Sequence, residues 1–182
     1  MNRAPRNQLR IVGGEYRRRV LRFPDAQDLR PTPDRVRETL FNWLGQDLTG
    51  RHCLDLFAGS GALGFEAASR NAARVVMVEQ ARPVHAALAA NRHLLGAERI
   101  ELVQAEALGW LARCADRFDV VFLDPPFGSD LLARVLPLLP ARLRDGGQVY
   151  AECARWPDLT GWQTLRQGQA GTVHYALLRP VS

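Results

Sequence analysis

Residues 120 to 129 read VVFLDPPFGS, an apolar run that stops at an acid, two prolines and a phenylalanine. Each proline removes a backbone donor and fixes φ, so Asp124, Pro125, Pro126 and Phe127 form a rigid corner rich in acceptors. Asp124 offers carboxylate oxygens and Pro125 a carbonyl, and Pro126 keeps Pro125 extended, so these oxygens can converge on an amino group with two hydrogens. Phe127 adds a flat apolar face for the heterocycle bearing that amine. The exocyclic amine of a nucleobase is a poor nucleophile because its lone pair is delocalised into the ring. Accepting both its hydrogens pulls the nitrogen toward a pyramidal shape and favours the positive charge it gains on attacking an electrophilic carbon. At ordinary proline usage a Pro-Pro pair occurs about once in 400 positions. The acid before it, the aromatic after it and the strand leading in separate this pair from a plain rigid turn.

A second constellation lies upstream, where Asp55 to Ala68 read DLFAGSGALGFEAA. Gly59, Gly61 and Gly64 spell GxGxxG between a strand and a helix, and Glu79 follows about twenty residues on, where a ribose-binding acid belongs. An adenosine-containing ligand is implied, either a nicotinamide dinucleotide or S-adenosylmethionine. Asp55 favours the second: a carboxylate at the mouth of the turn repels a pyrophosphate but can hold the ammonium of a methionine group, directly or through water. Ala58, inside the turn, is grouped with these cofactor residues. Glu106, closing the third strand, is either an acceptor for the adenine amine or a helix-capping acid.

These residues need a scaffold, and the rest of the pattern supplies one. HCLDLFA (52–58), RVVMVEQ (74–80), IELVQAE (100–106), FDVVFLD (118–124) and GQVYAEC (147–153) read as short buried strands. Helical patterns lie between them near 62–70, 83–95, 108–114 and 130–143. Strand and helix alternating at this spacing predict an α/β, Rossmann-like fold: a mostly parallel, seven-stranded sheet with helices on both faces and a C-terminal antiparallel hairpin. The fourth strand then lies beside the first, so Asp124 and the glycine turn share the crevice at the strands' carboxyl ends.

At 182 residues the chain has room for one such domain with a single core. Ahead of it, residues 9–23 (LRIVGGEYRRRVLRF) read as a basic hairpin within an N-terminal arm over 1–31, leaving 32–182 for the catalytic domain. A helix is expected from Thr32, with Pro33 and Asp34 in its first turn, one apolar face of Val36, Leu40, Trp43 and Leu44, and Gly45 ending it. Arg35 and Arg37 fall on its free cationic side. Residues 1–37 carry ten arginines against four acids, whereas the remainder carries 14 against 15, so the whole net charge of +5 resides at the N-terminus. Every base is arginine, whose planar fork holds phosphate by paired hydrogen bonds, and a pI of about 9.8 suits a polyanionic partner. The absence of lysine removes Walker-loop, Schiff-base and kinase chemistry. Three scattered cysteines and four histidines form no metal-ligand spacing, so no metal is expected. No apolar stretch approaches the ~20 residues of a membrane span, and a cytoplasmic location is expected.

RIVGGEYRRRVL, LRPTPDRVRETLFNWL, CLDLFAGSGALGFEAASR and VVFLDPPF together resemble the RsmD-type small-subunit ribosomal RNA guanine-N2 methyltransferases, over residues 10–179. The resemblance implies S-adenosylmethionine in the crevice against Asp55, Gly59, Gly61 and Glu79, with Asp124, Pro125 and Phe127 as the target-amine pocket. It also places Thr32 near the methionine carboxylate. The implied substrate is the guanine at position 966 of 16S ribosomal RNA, in the small subunit or an assembly intermediate; separately, a monomer is expected. Arg10, Arg17, Arg18, Arg19, Arg30, Arg35 and Arg37 are the residues expected to hold that RNA. The competing readings are adenine-N6 methylation of DNA, a nicotinamide oxidoreductase, and a non-catalytic RNA-binding protein that kept the fold.

Overall fold

The structure, a computed structural model, describes residues 7–26 and 29–182. A small antiparallel ribbon of β1 (Gln8–Arg10) and β2 (Val20–Arg22) leads into α1 (Asp34–Leu44). The alternation then runs β3 (His52–Asp55), α2 (Ala62–Ser69), β4 (Arg74–Glu79), α3 (Arg82–Leu95), β5 (Ile100–Gln104), α4 (Ala107–Arg113), β6 (Phe118–Leu123), α5 (Leu131–Val135) and β7 (Leu143–Cys153), closed by β8 (Trp162–Ala170) and β9 (Val173–Pro180). Seven strands form one sheet in the order β5-β4-β3-β6-β7-β9-β8, parallel as far as β7, with β9 antiparallel to both β7 and β8. The chain winds outward from β3 through β4 to β5 and returns on the other side with β6. Such a reversal opens a crevice beyond the carboxyl end of β3.

Side chains alternate across each strand, which divides the expected single core in two. Cys53, Val75, Met77, Val120, Phe122 and Tyr150 pack on one face with Leu40, Phe41, Phe65 and Leu88 from the first three helices. Leu54, Val76, Val78, Val121, Leu123 and Val149 pack on the other with Leu111, Leu132 and Val135 from α4 and α5. Both faces are covered, so the central strands are continuous apolar runs. No helix among the described residues is long and apolar enough to cross a membrane.

Two helices differ from the sequence pattern, and proline explains both. α1 starts at Asp34, because Thr32 precedes a proline and Pro33 is itself extended (φ −56°, ψ 149°). The helix expected over 130–143 is only Leu131–Val135, followed by single 3-10 turns at Leu136–Leu138 and Pro140–Arg142. Pro137 and Pro140 lack the donors a continuous helix requires.

Of the expected arm, residues 1–6 and 27–28 lie outside the described residues; the ribbon over 9–23 is sealed onto the domain. Leu9, Ile11, Tyr16, Leu21 and Phe23 belong to the first-face core. Gly14 adopts φ +78°, and a Cβ there would lie 1.9 Å from the Ser69 carbonyl oxygen, which accepts from the Glu15 backbone N–H at 2.7 Å. Glycine is what lets the backbones meet.

Arg37 corrects the expectation of a free cationic face: it is 1 % exposed and points inward. Glu66 on α2, wholly buried, draws it there, since a buried carboxylate requires countercharge and donors. Arg37 lies 3.2 Å and Arg70 3.0 Å from Glu66, which also accepts from the backbone N–H groups of Val12 (3.0 Å) and Gly13 (2.9 Å). Arg37 further donates to the carbonyls of Arg10 (2.9 Å) and Thr32 (3.0 Å) and pairs with Asp34. It is an anchor for the arm and is not available at the surface.

Candidate active site

Four neighbouring parallel strands, β4, β3, β6 and β7, each deliver a carboxyl at or just past the carboxyl end: Glu79, Asp55, Asp124 and Glu152. Between β3 and α2 the chain turns through Gly59 (φ +53°) and Gly61 (φ +85°). At Gly61 a Cβ would meet the Phe65 ring at 2.4 Å and Leu88 at 2.8 Å, so the turn closes only with glycine. Gly64 lets α2 lie directly on Met77 of β4, where a Cβ would approach within 2.8 Å. Ala58 extends the sheet into the turn, its N–H donating to the Val78 carbonyl at 2.9 Å.

Asp55 is buried beneath this turn and accepts from the Gly64 N–H at 3.0 Å. Burial pushes its carboxyl up to about 7, opposed by the Gly64 bond and reinforced by the charges of Glu79 and Glu152. Glu79 accepts from the N–H groups of Gly59 (2.9 Å) and Ala81 (3.0 Å), which fixes it at the rim. Glu106 uses its carboxylate as the cap of α4, accepting from the N–H groups of Leu108 (3.0 Å) and Gly109 (2.6 Å). Those bonds hold it below the usual carboxylate range. The capping alternative is thus the arrangement seen, with the carboxylate already engaged.

At the proline corner, Ser129 folds back to donate from both its N–H (3.2 Å) and its hydroxyl (2.7 Å) to the Pro126 carbonyl, and Gly128 adopts φ +74°. The corner is therefore locked on its far side. Asp124 and Pro125 are half-buried, whereas Phe127 is 56 % exposed, an unusual position for an apolar ring. Burial raises the Asp124 carboxyl well above its ordinary range, and the neighbouring Glu152 raises it further by its charge and by a hydrogen bond between the two. Glu152 itself is raised by burial, against the opposing hydrogen bonds of Tyr150, Asp124 and Thr32.

Glu152 and Tyr150 were not picked out by sequence reasoning. Glu152 accepts from the Tyr150 hydroxyl at 2.6 Å and from the Thr32 hydroxyl at 3.2 Å. Thr32 thus directs its donor to a carboxyl of the chain. The overlooked signal is an acid inside the buried strand sequence VYAEC, where water cannot solvate it. Of the arginines assigned to RNA, Arg10, Arg17, Arg18, Arg19, Arg30 and Arg35 are exposed. Arg17 to Arg19 sit on a tight turn in which the N–H of Arg19 reaches the Tyr16 carbonyl at 3.0 Å and Arg18 has φ +70°. Arg19 also donates to the Leu94 carbonyl at 3.2 Å.

The carboxyl-lined crevice fits a ligand carrying an ammonium, a sulfonium and ribose hydroxyls, all of which a carboxylate can hold or balance. It opposes a pyrophosphate. Among the described residues no cluster of three or more metal-ligating side chains exists.

Residues 9–179 match a family model described as conserved hypothetical protein 95. The chain is 42% identical over 182 residues to the ribosomal RNA small subunit methyltransferase D of Escherichia coli, covering 97% of this chain and 92% of that one. It is 38% identical to the enzyme of the same name from Haemophilus influenzae, covering 94% of both. A solved E. coli structure described as a methyltransferase superposes with a TM-score of 0.86 at 42% identity, over 95% of this chain and 98% of that one. The sheet order and crevice are those of a class I methyltransferase fold.

Proposed function

Because the chain belongs to the conserved hypothetical protein 95 family, that of the RsmD-type methyltransferases, we propose that it methylates the exocyclic N2 amine of a guanine in small-subunit ribosomal RNA. S-adenosylmethionine, when bound, supplies the electrophilic methyl group. Asp55 holds its ammonium, Glu79 its ribose hydroxyls, and the turn at Ala58, Gly59 and Gly61 lets it approach the backbone. The observation that carries the reading is the adjacency of β3 and β6, which sets the rigid Asp124-Pro125-Pro126-Phe127 corner beside the glycine turn.

Phe127 offers its exposed ring to a base turned out of its stack, as any enzyme acting on a base edge requires. Asp124 and the Pro125 carbonyl accept the amine's hydrogens, orienting its lone pair and stabilising the charge that develops on nitrogen. The exposed arginines of the arm and of α1 hold the RNA backbone. The family resemblance makes the substrate the small subunit or an assembly intermediate.

Transfer of labelled methyl to small subunits, free ribosomal RNA and DNA, run in parallel, tests this. Labelled guanine in the subunit is expected, and Asp124→Ala should keep RNA and S-adenosylhomocysteine binding while losing transfer. Labelled DNA adenine without labelled RNA, or unchanged turnover in the variant, would overturn it.

A further inference from the structure

Glu152 is left without a role by the reading above, on which the following rests. We propose that Glu152 is a positioning residue that clamps Asp124 through one shared proton, leaving the other Asp124 oxygen for the target amine. Leu123 of β6 pairs in register with Ala151 of β7 in parallel, so Asp124 and Glu152 follow as the next neighbours across the two strands. In-register neighbours on parallel strands project to the same side of the sheet. Two adjacent carboxyls, one buried and one half-buried, cannot both ionise cheaply, and one proton between them converts repulsion into a hydrogen bond.

The surroundings decide which carboxyl carries the charge. Glu152, 7 % exposed, receives two hydroxyl donors on the same oxygen, from Tyr150 at 2.6 Å and Thr32 at 3.2 Å. Donors favour the anion, so Glu152 holds the negative charge and Asp124 the proton. Tyr150 is fixed in turn by the rings of Phe122 and Tyr175, each 6.4 Å between centroids. The other groups facing the pair are Asp55 from β3, with Glu79 of β4 beside it, and Tyr175 from β9. Asp124 is pushed well above the ordinary carboxylate range, as a retained proton requires. When that proton leaves at high pH, two neighbouring anions repel and the clamp opens.

Glu152→Gln separates this role from a structural one, because the amide donates permanently to Asp124 while its oxygen still accepts from Tyr150 and Thr32. Methyl transfer by the wild type should fall on the alkaline side as the shared proton departs, and the Gln variant should lose that limb. Glu152→Ala should lower kcat by about tenfold or more at every pH, with KM for RNA changed by less than about twofold. Independently of catalysis, carbon-13 NMR of labelled aspartate carboxyls, with Asp124→Asn to assign the resonance, should show Asp124 titrating more than about one unit lower in Glu152→Gln. An Asp124 carboxyl that titrates at the same pH in both proteins would overturn the clamp. If that shift appears but the wild type methylates no RNA, the clamp stands and the functional reading falls; methylation without the shift gives the reverse.

Discussion

Asp55 should make cofactor binding depend on pH with a slope that the geometry fixes. In the folded chain its carboxyl keeps a proton up to about 7, because burial under the glycine turn raises it from an ordinary 3.8. A methionine ammonium against it favours the ionised form, so binding must expel that proton. Returning Asp55 to its ordinary value would correspond to about three units, or ~4 kcal/mol at 1.4 kcal/mol each. Between pH 5 and 6 the affinity for S-adenosylhomocysteine should therefore rise nearly tenfold, and between pH 6 and 7 about fivefold more as the carboxyl nears its midpoint, roughly 50-fold in all. Isothermal titration calorimetry at pH 6, in buffers of differing ionisation enthalpy, should register close to one proton released per ligand. Asp55→Asn keeps an acceptor for the Gly64 N–H and has no proton to lose, so its affinity should stay flat over the same range. A wild type with no proton release, or an Asn variant with the wild-type slope, would refute the placement of the ammonium on Asp55.

The same carboxyl sets a stability trend in the free protein. Folded, it binds its proton to a higher pH than unfolded, so its contribution to stability is full below about 4 and is lost as pH rises through about 7; Asp55→Asn should flatten that alkaline-side fall in urea melts. Arg37→Ala leaves buried Glu66 with Arg70 as its one cationic partner and should cost about 3–5 kcal/mol, a Tm drop of roughly 10 °C, without altering the salt dependence of RNA binding. Replacing Arg17, Arg18 and Arg19 together by Ala should do the converse in filter-binding assays: weaker RNA binding, a salt slope shallower by up to about 2–3, and intact cofactor affinity. Phe127→Ala removes an exposed ring, so Tm should hold while kcat/KM for RNA falls by about 10- to 100-fold, the worth of one base stacked on an aromatic ring.

The fold was legible wherever period and punctuation agreed. Apolar runs at β3, β4, β6 and β7 announced buried parallel strands, the glycines announced the strand-to-helix turn, and the tail announced its hairpin. Phe127 stood out because an aromatic after two prolines has no strand to pack into. Arg37 was misread since a helical wheel shows which face is polar and not what lies against it; only the fold brings Glu66 to that face. Glu152 escaped notice for a related reason, its partners being distant in the chain: strand pairing brings Asp124 beside it, and the segment entering α1 brings the Thr32 hydroxyl. Glu106 was open between two roles, and the short turn into α4 placed its carboxylate on the helix's free N–H groups.

The account stands on a guanine amine held by Asp124 and Pro125. Small subunits from cells lacking this protein, incubated with it and S-adenosylmethionine, can be digested to nucleosides and resolved by mass spectrometry. N2-methylguanosine appearing at one site with the wild type and absent with Asp124→Ala is the predicted result. Methyl recovered on another base, or on guanine in equal amount with the variant, would contradict it.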